Sequence, residues 1–156
     1  MILIIQDLSS FIYINMHIKK TILLIITFLS ISSLAKSEIS YEKEFNETQF
    51  IIESQIQAFL DENAELAYSY AAPLIKIKFN NPQEFMYMVK NYYEPVYNPK
   101  QFQFIDAKYF EGAIFHQLQV ISQKNESFLA TYSLIQDEGI WKISGCAVYP
   151  MQKQSI

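Results

Sequence analysis

At 156 residues, with 51% hydrophobic and 18% charged content, the chain has the composition of one folded globular domain with a single core. Its formal net charge is −4 and it contains no arginine, so the planar bidentate donor that usually grips phosphate and guanine is missing and nucleic acid is not an expected partner. The 12 Phe and 11 Tyr stand against 3 Gly, with abundant Ile, Lys and Asn, a bias that AT-rich coding also produces; a single tyrosine or lysine therefore carries little functional weight alone.

Residues 1–15 have no basic residue, and Gln6, Asp7, Ser9 and Ser10 break their apolar character. From Met16 the pattern changes: His17, Lys19 and Lys20 give a basic start, Ile22 to Ile31 an apolar run, and Ser33 and Ala35 the small residues of a signal-peptidase site. The expectation is an upstream extension over 1–15, a signal peptide over 16–35 cleaved near Ala35, and export to the periplasm or beyond. Ile22 to Leu34 falls well short of the roughly 20 apolar residues a span needs, so the processed chain is not expected to be membrane-embedded. From Lys36 onward ten lysines face fifteen acidic residues, an acidic exported domain. The one cysteine, Cys146, lies far from the signal, which argues against a lipid anchor there.

Residues 36–48 read as a charged, loosely held lead-in to one domain over 49–150, with 151–156 as a tail. Asn46 and Gln49 resemble a capping box, and Ile52, Ile56, Phe59 and Leu60 recur at helical spacing. A second, shorter helix is expected from Asn63 through Tyr70, stopped by Pro73; Lys76 to Phe79 alternates like a short strand, with a helical turn as the alternative. Asn81, Pro82 and Glu84 mark the start of a third helix, Phe85, Met88, Val89 and Tyr92 give it an apolar stripe, and Pro95 and Pro99 end it in an extended segment.

Four strand-like runs follow at 101–110, 113–122, 127–136 and 140–149, separated by short turn-like segments that make an antiparallel meander. Ile114, His116, Leu118 and Val120 share one face, as do Phe128, Ala130, Tyr132 and Leu134. Helices first and a curved antiparallel sheet of about four long strands second is an α+β layout with the helices covering one face. A helix against the concave side of a coiled sheet leaves a cavity, where a pocket is expected.

Residues 50–150 resemble a bacterial family, domain of unknown function 4864. The likeness rests on the Gln-x-x-Ala-Phe core at 55–59, the Ala-Tyr-Ser-x-Ala-x-Pro turn at 67–73, the Pro-x-x-Phe-x-x-Met-Val helix at 82–89 and the Trp-x-Ile-x-Gly-Cys strand at 141–146. The resemblance implies the cone-shaped α+β fold of the nuclear-transport-factor-2-like superfamily. That superfold hosts isomerases, hydrolases, dehydratases and many non-catalytic binding domains, so it implies little about activity.

For chemistry the sequence offers two candidate bases, His116 and Asp106. His116 lies on an apolar strand phase, where a core histidine bonded to a neighbour is the competing reading. Asp106 alternates with Phe102 and Phe104 and would point inward unless a bulge or strand end intervenes; a dyad with His116 on the adjacent strand is one geometric option. Tyr70, Tyr92, Tyr97 and Tyr132 are the expected pocket-lining residues, each presenting an apolar ring with a polar tip. Neither a His/Cys cluster nor a spaced carboxylate set is visible, so neither metal nor other cofactor is expected. Cys146 has no partner in the chain and reads as packing. The leading expectation is a non-catalytic binding or interaction module with an apolar ligand, dimeric through the outer sheet face. The alternative is a small lyase, isomerase or hydrolase using His116 or Asp106 as base.

Overall fold

A computed structural model describes residues 41–151, of which those from Lys43 onward belong to one unit. Five helices precede four strands: α1 (41–60), α2 (Ala64–Ser69), α3 (Pro73–Lys78), α4 (Pro82–Tyr92), α5 (Glu94–Tyr97), then β1 (Gln101–Phe110), β2 (Ala113–Ile121), β3 (Ser127–Asp137) and β4 (Ile140–Pro150). The expected signal peptide and upstream extension lie outside the described residues.

Helix α1 passes through the expected cap at Asn46, and residues 41–48 of the expected lead-in belong to it. The reason is a buried stripe that continues toward the N-terminus: Thr48 stands one turn before Ile52, and Phe45 one turn before that. At its other end Glu62 takes a left-handed conformation, φ 52°, and the amides of Glu62 and Asn63 donate back to the carbonyls of Phe59 and Ala58. This closes α1 with a Schellman motif. Asn63 then serves a second purpose, its side chain accepting from the Leu66 amide to cap α2.

Residues 76–78, expected as a strand or a helical turn, are helical: Pro73 does not only end α2 but opens α3 in its first turn. Helix α4 starts where expected, with the Asn81 side chain accepting from the Glu84 amide; the Glu84 carboxylate reaches the Asn80 amide, one residue before the cap. The segment after it is not extended. Pro95 sits in the first turn of α5, again because its fixed φ suits a helix start.

The strands form one antiparallel sheet in the order β1-β2-β3-β4. Glu111-Gly112 and Glu138-Gly139, each with two positive φ angles, make the two-residue turns of the outer hairpins. Between β2 and β3 the Ser122 hydroxyl accepts from the amides of Lys124 and Glu126. Alternation then decides the faces. Ile114, Leu118, Val120, Ala130, Leu134 and Ile143 are buried against Ile52 and Ile56 of α1 and Val96 of α5. Each fully buried isoleucine contributes on the order of 2 kcal/mol from area alone. A second cluster ties α1, α2, α4 and α5 together through Phe59, Ala67, Phe85, Val89 and Tyr97. The architecture is α+β with helices on one face of an open four-stranded antiparallel sheet.

Candidate functional site

Sheet register places three chemistry-bearing residues in one row across the helix-facing side: His116 on β2 pairs with Tyr132 on β3, which pairs with Cys146 on β4. Directly opposed residues bring their Cβ atoms within about 5 Å, so the row is continuous. On the other flank His116 pairs with Ala107 and not with Asp106. A bulge between Phe104 and Asp106 shifts the register, turns Asp106 outward beside Gln117 and leaves it exposed. The structure therefore does not bring Asp106 and His116 together.

His116 is pinned from above. Its Nε2 lies 2.8 Å from Thr48 Oγ1, itself 2.8 Å from the Glu44 carbonyl and 3.1 Å from that of Phe45. The threonine hydroxyl has one proton and spends it on a helix carbonyl, so Nε2–H is the donor and Thr48 the acceptor. The rings of Phe45 and Phe104 stand edge-on to the imidazole at 6.2 and 5.5 Å. Burial among these groups lowers the His116 pKa to about 4, so the ring is neutral near pH 7. Its position ties sheet to helix, and it does not line the pocket described next.

Toward β4 the helices stand away from the sheet and leave a pocket of about 660 Å³. Gln55 and Phe59 of α1, Leu74, Ile75 and Lys78 of α3, and Met88, Val89 and Tyr92 of α4 form its helical walls; Tyr93 and Val96 close one side. The sheet side is Tyr132, Ile143, Ser144, Gly145 and Cys146. A bulge at Ser144 shapes this side: the Ser144 hydroxyl donates to the Ser133 carbonyl and accepts from the Ser133 hydroxyl at 2.9 Å. The edge of β4 is partly covered, because Ala72 N–H donates to the Ile143 carbonyl and Ile143 N–H to that of Tyr70.

Polar groups in the lining are few. Gln55 Nε2 donates to the Ala67 carbonyl at 3.0 Å and so braces α1 against α2. Among the described residues Lys78, exposed on α3, is the one charged lining residue. The Tyr132 hydroxyl is fully buried without a hydrogen-bond partner of normal geometry, with the Cys146 thiol as its polar neighbour. Burial holds the Tyr132 pKa well above the usual phenol range and pushes the Cys146 thiol up to about 12, so both stay protonated. Outside the mouth, Leu74, Ile77, Tyr87 and Tyr92 are all more than two-thirds exposed, and a shallow depression on α4 shares Phe79, Met88 and Tyr92 with the pocket.

Of the four expected lining tyrosines, Tyr132 and Tyr92 line the pocket. Tyr70 packs against the sheet core, with its carbonyl on β4, and Tyr97 is buried in the helix cluster, its hydroxyl 3.3 Å from Glu62. Sequence reasoning missed Met88, Lys78 and Cys146 as lining residues. Simple alternation sets Cys146 on the face opposite Trp141 and Ile143; the bulge at Ser144 shifts the register by one residue and brings it opposite Tyr132. Among the described residues no group of three or more His, Cys, Asp or Glu side chains is placed to hold a metal ion.

Fold and site together define a small α+β domain with an apolar pocket between its helices and the last two strands. The model of the family designated Domain of unknown function (DUF4864) matches residues 41–156, and the chain belongs to that family. No curated protein matches the chain. Among the described residues no helix is long and apolar enough to cross a membrane.

Proposed function

We propose that this chain is a non-catalytic binding module that takes a small apolar ligand between its helices and β4. The observation that carries the reading is the lining itself: about 660 Å³ bounded by aromatic and aliphatic side chains with a few polar groups is the usual make-up of a ligand site. Neither candidate base favours the catalytic alternative, since His116 is held under α1 and Asp106 faces away on the far side of the sheet. The proposal includes the nuclear-transport-factor-2-like cone as the fold, export after cleavage near Ala35, and self-association through the outer sheet face, where Phe110 and Tyr149 are exposed.

Native mass spectrometry of the purified protein tests the binding role. The expected result is a bound small molecule that leaves on activation, with Met88→Trp, which pushes a bulkier ring into the pocket from α4, weakening or abolishing it while far-UV circular dichroism stays unchanged. Bare polypeptide from every preparation, together with no uptake of added apolar compounds, would refute the reading.

A further inference from the structure

The Tyr132 hydroxyl stands apart from every other buried polar side chain of the described residues. Thr48, Gln55, His116 and Ser122 each have hydrogen-bond partners, whereas this hydroxyl has none of normal geometry. Buried polar atoms in folded proteins are paired, and each exception asks for a reason. A phenylalanine at 132 would fill nearly the same space without leaving a donor unsatisfied. The residue is 1% exposed, it borders the pocket, and its neighbour across the hairpin, Cys146, borders the same pocket.

The chemistry of the corner fixes the kind of group it accepts. Tyr132 and Cys146 both retain their protons there, and the thiol sulfur beside the phenol is only a weak acceptor at poor geometry, so a stronger acceptor has an unused donor to meet. An anion is disfavoured, because the surroundings are apolar and Lys78, the one cationic lining residue among the described residues, is exposed to solvent. An alcohol oxygen also accepts, but its own proton would then need an acceptor in an apolar corner. A carbonyl oxygen is a pure, neutral acceptor with two lone pairs and meets both conditions.

We propose that the pocket takes an apolar, carbonyl-bearing small molecule whose oxygen accepts a hydrogen bond from the Tyr132 hydroxyl, an inference that rests on the pocket being a binding site.

Isothermal titration calorimetry on the full chain with benzophenone and diphenylmethane, a pair differing in one carbonyl, tests this. Wild type is expected to bind benzophenone about 10-fold more tightly, the size of one hydrogen bond to an otherwise unsatisfied buried donor. In Tyr132→Phe the preference is expected to fall to about one while diphenylmethane affinity holds within about twofold. Cys146→Ala, which removes the thiol beside that hydroxyl, is expected to keep the preference. Equal affinities in wild type, or a preference that survives Tyr132→Phe, would overturn the carbonyl inference and leave the pocket standing. Binding of neither compound, or binding untouched by Met88→Trp, would instead overturn the pocket reading itself.

Discussion

At His116 burial opposes the charged ring, and this couples stability to pH. The unfolded imidazole, with its ordinary pKa of 6.5, binds a proton more readily than the folded one at about 4. Stability from this residue is therefore complete above pH 6.5, declines as pH falls through that window and reaches its floor below about 4, a loss of at most about 3 kcal/mol. Urea melts across this range are expected to show the decline in wild type and its absence in His116→Gln, which keeps an N–H for Thr48 and does not titrate. At Tyr132 the expected direction is opposite to that of an ordinary core truncation: Tyr132→Phe removes an unsatisfied hydroxyl and should leave stability unchanged or raise it by about 1 kcal/mol in the same melts. Cys146, with its pKa pushed up to about 12, forms almost no thiolate at pH 8. Alkylation by N-ethylmaleimide is expected to be at least about 100-fold slower in the folded protein than in urea. The phase of Tyr132 was legible in the sequence because Phe128, Ala130 and Leu134 share it; its missing partner was not, since pairing depends on groups brought in from β4 and the helices.

Among the elements, the strands were the most legible and the helix starts less so. Two-residue turns at Glu111-Gly112 and Glu138-Gly139 leave no slack in register, and strand ends came out within a residue of their expected positions. Gly139, at φ 81°, has open space where a Cβ would go, so Gly139→Ala is expected to cost about 1 kcal/mol through backbone conformation alone. The two bulges, near Ile105 and Ser144, leave no clear mark in the alternation; the first is what keeps Asp106 from pointing inward. The prolines have one thing in common: Pro73 and Pro95 read as stops in the sequence, yet each begins the next helix, because a residue that cannot continue one helix is well suited to open another. Asn81→Ala, which removes the cap on α4, is expected to cost about 1 kcal/mol in a thermal melt and to loosen the wall that carries Met88 and Tyr92.

For the domain as a whole, α1 sets where the pocket lies. Its buried stripe seals the sheet over His116 through Thr48 and Phe45, while Gln55 and Phe59 face the opening toward β4. Helices before a meander were enough to read the α+β layout from sequence. Tyr70 and Tyr97 were misplaced because the angles at which short helices meet the sheet follow from packing of Phe85, Val89 and Tyr97 against Phe59, contacts distant in sequence.

Photolabelling with benzophenone tests the pocket most directly, since the excited ketone inserts into nearby C–H bonds and a thioether methyl is a favoured target. Irradiation of the full chain followed by peptide mass mapping is expected to place the adduct on the α4 peptide at Met88, with a second site on β4 around residues 143–146. Adducts confined to the outer sheet face, at Phe110 or Tyr149, would contradict a ligand site between the helices and β4.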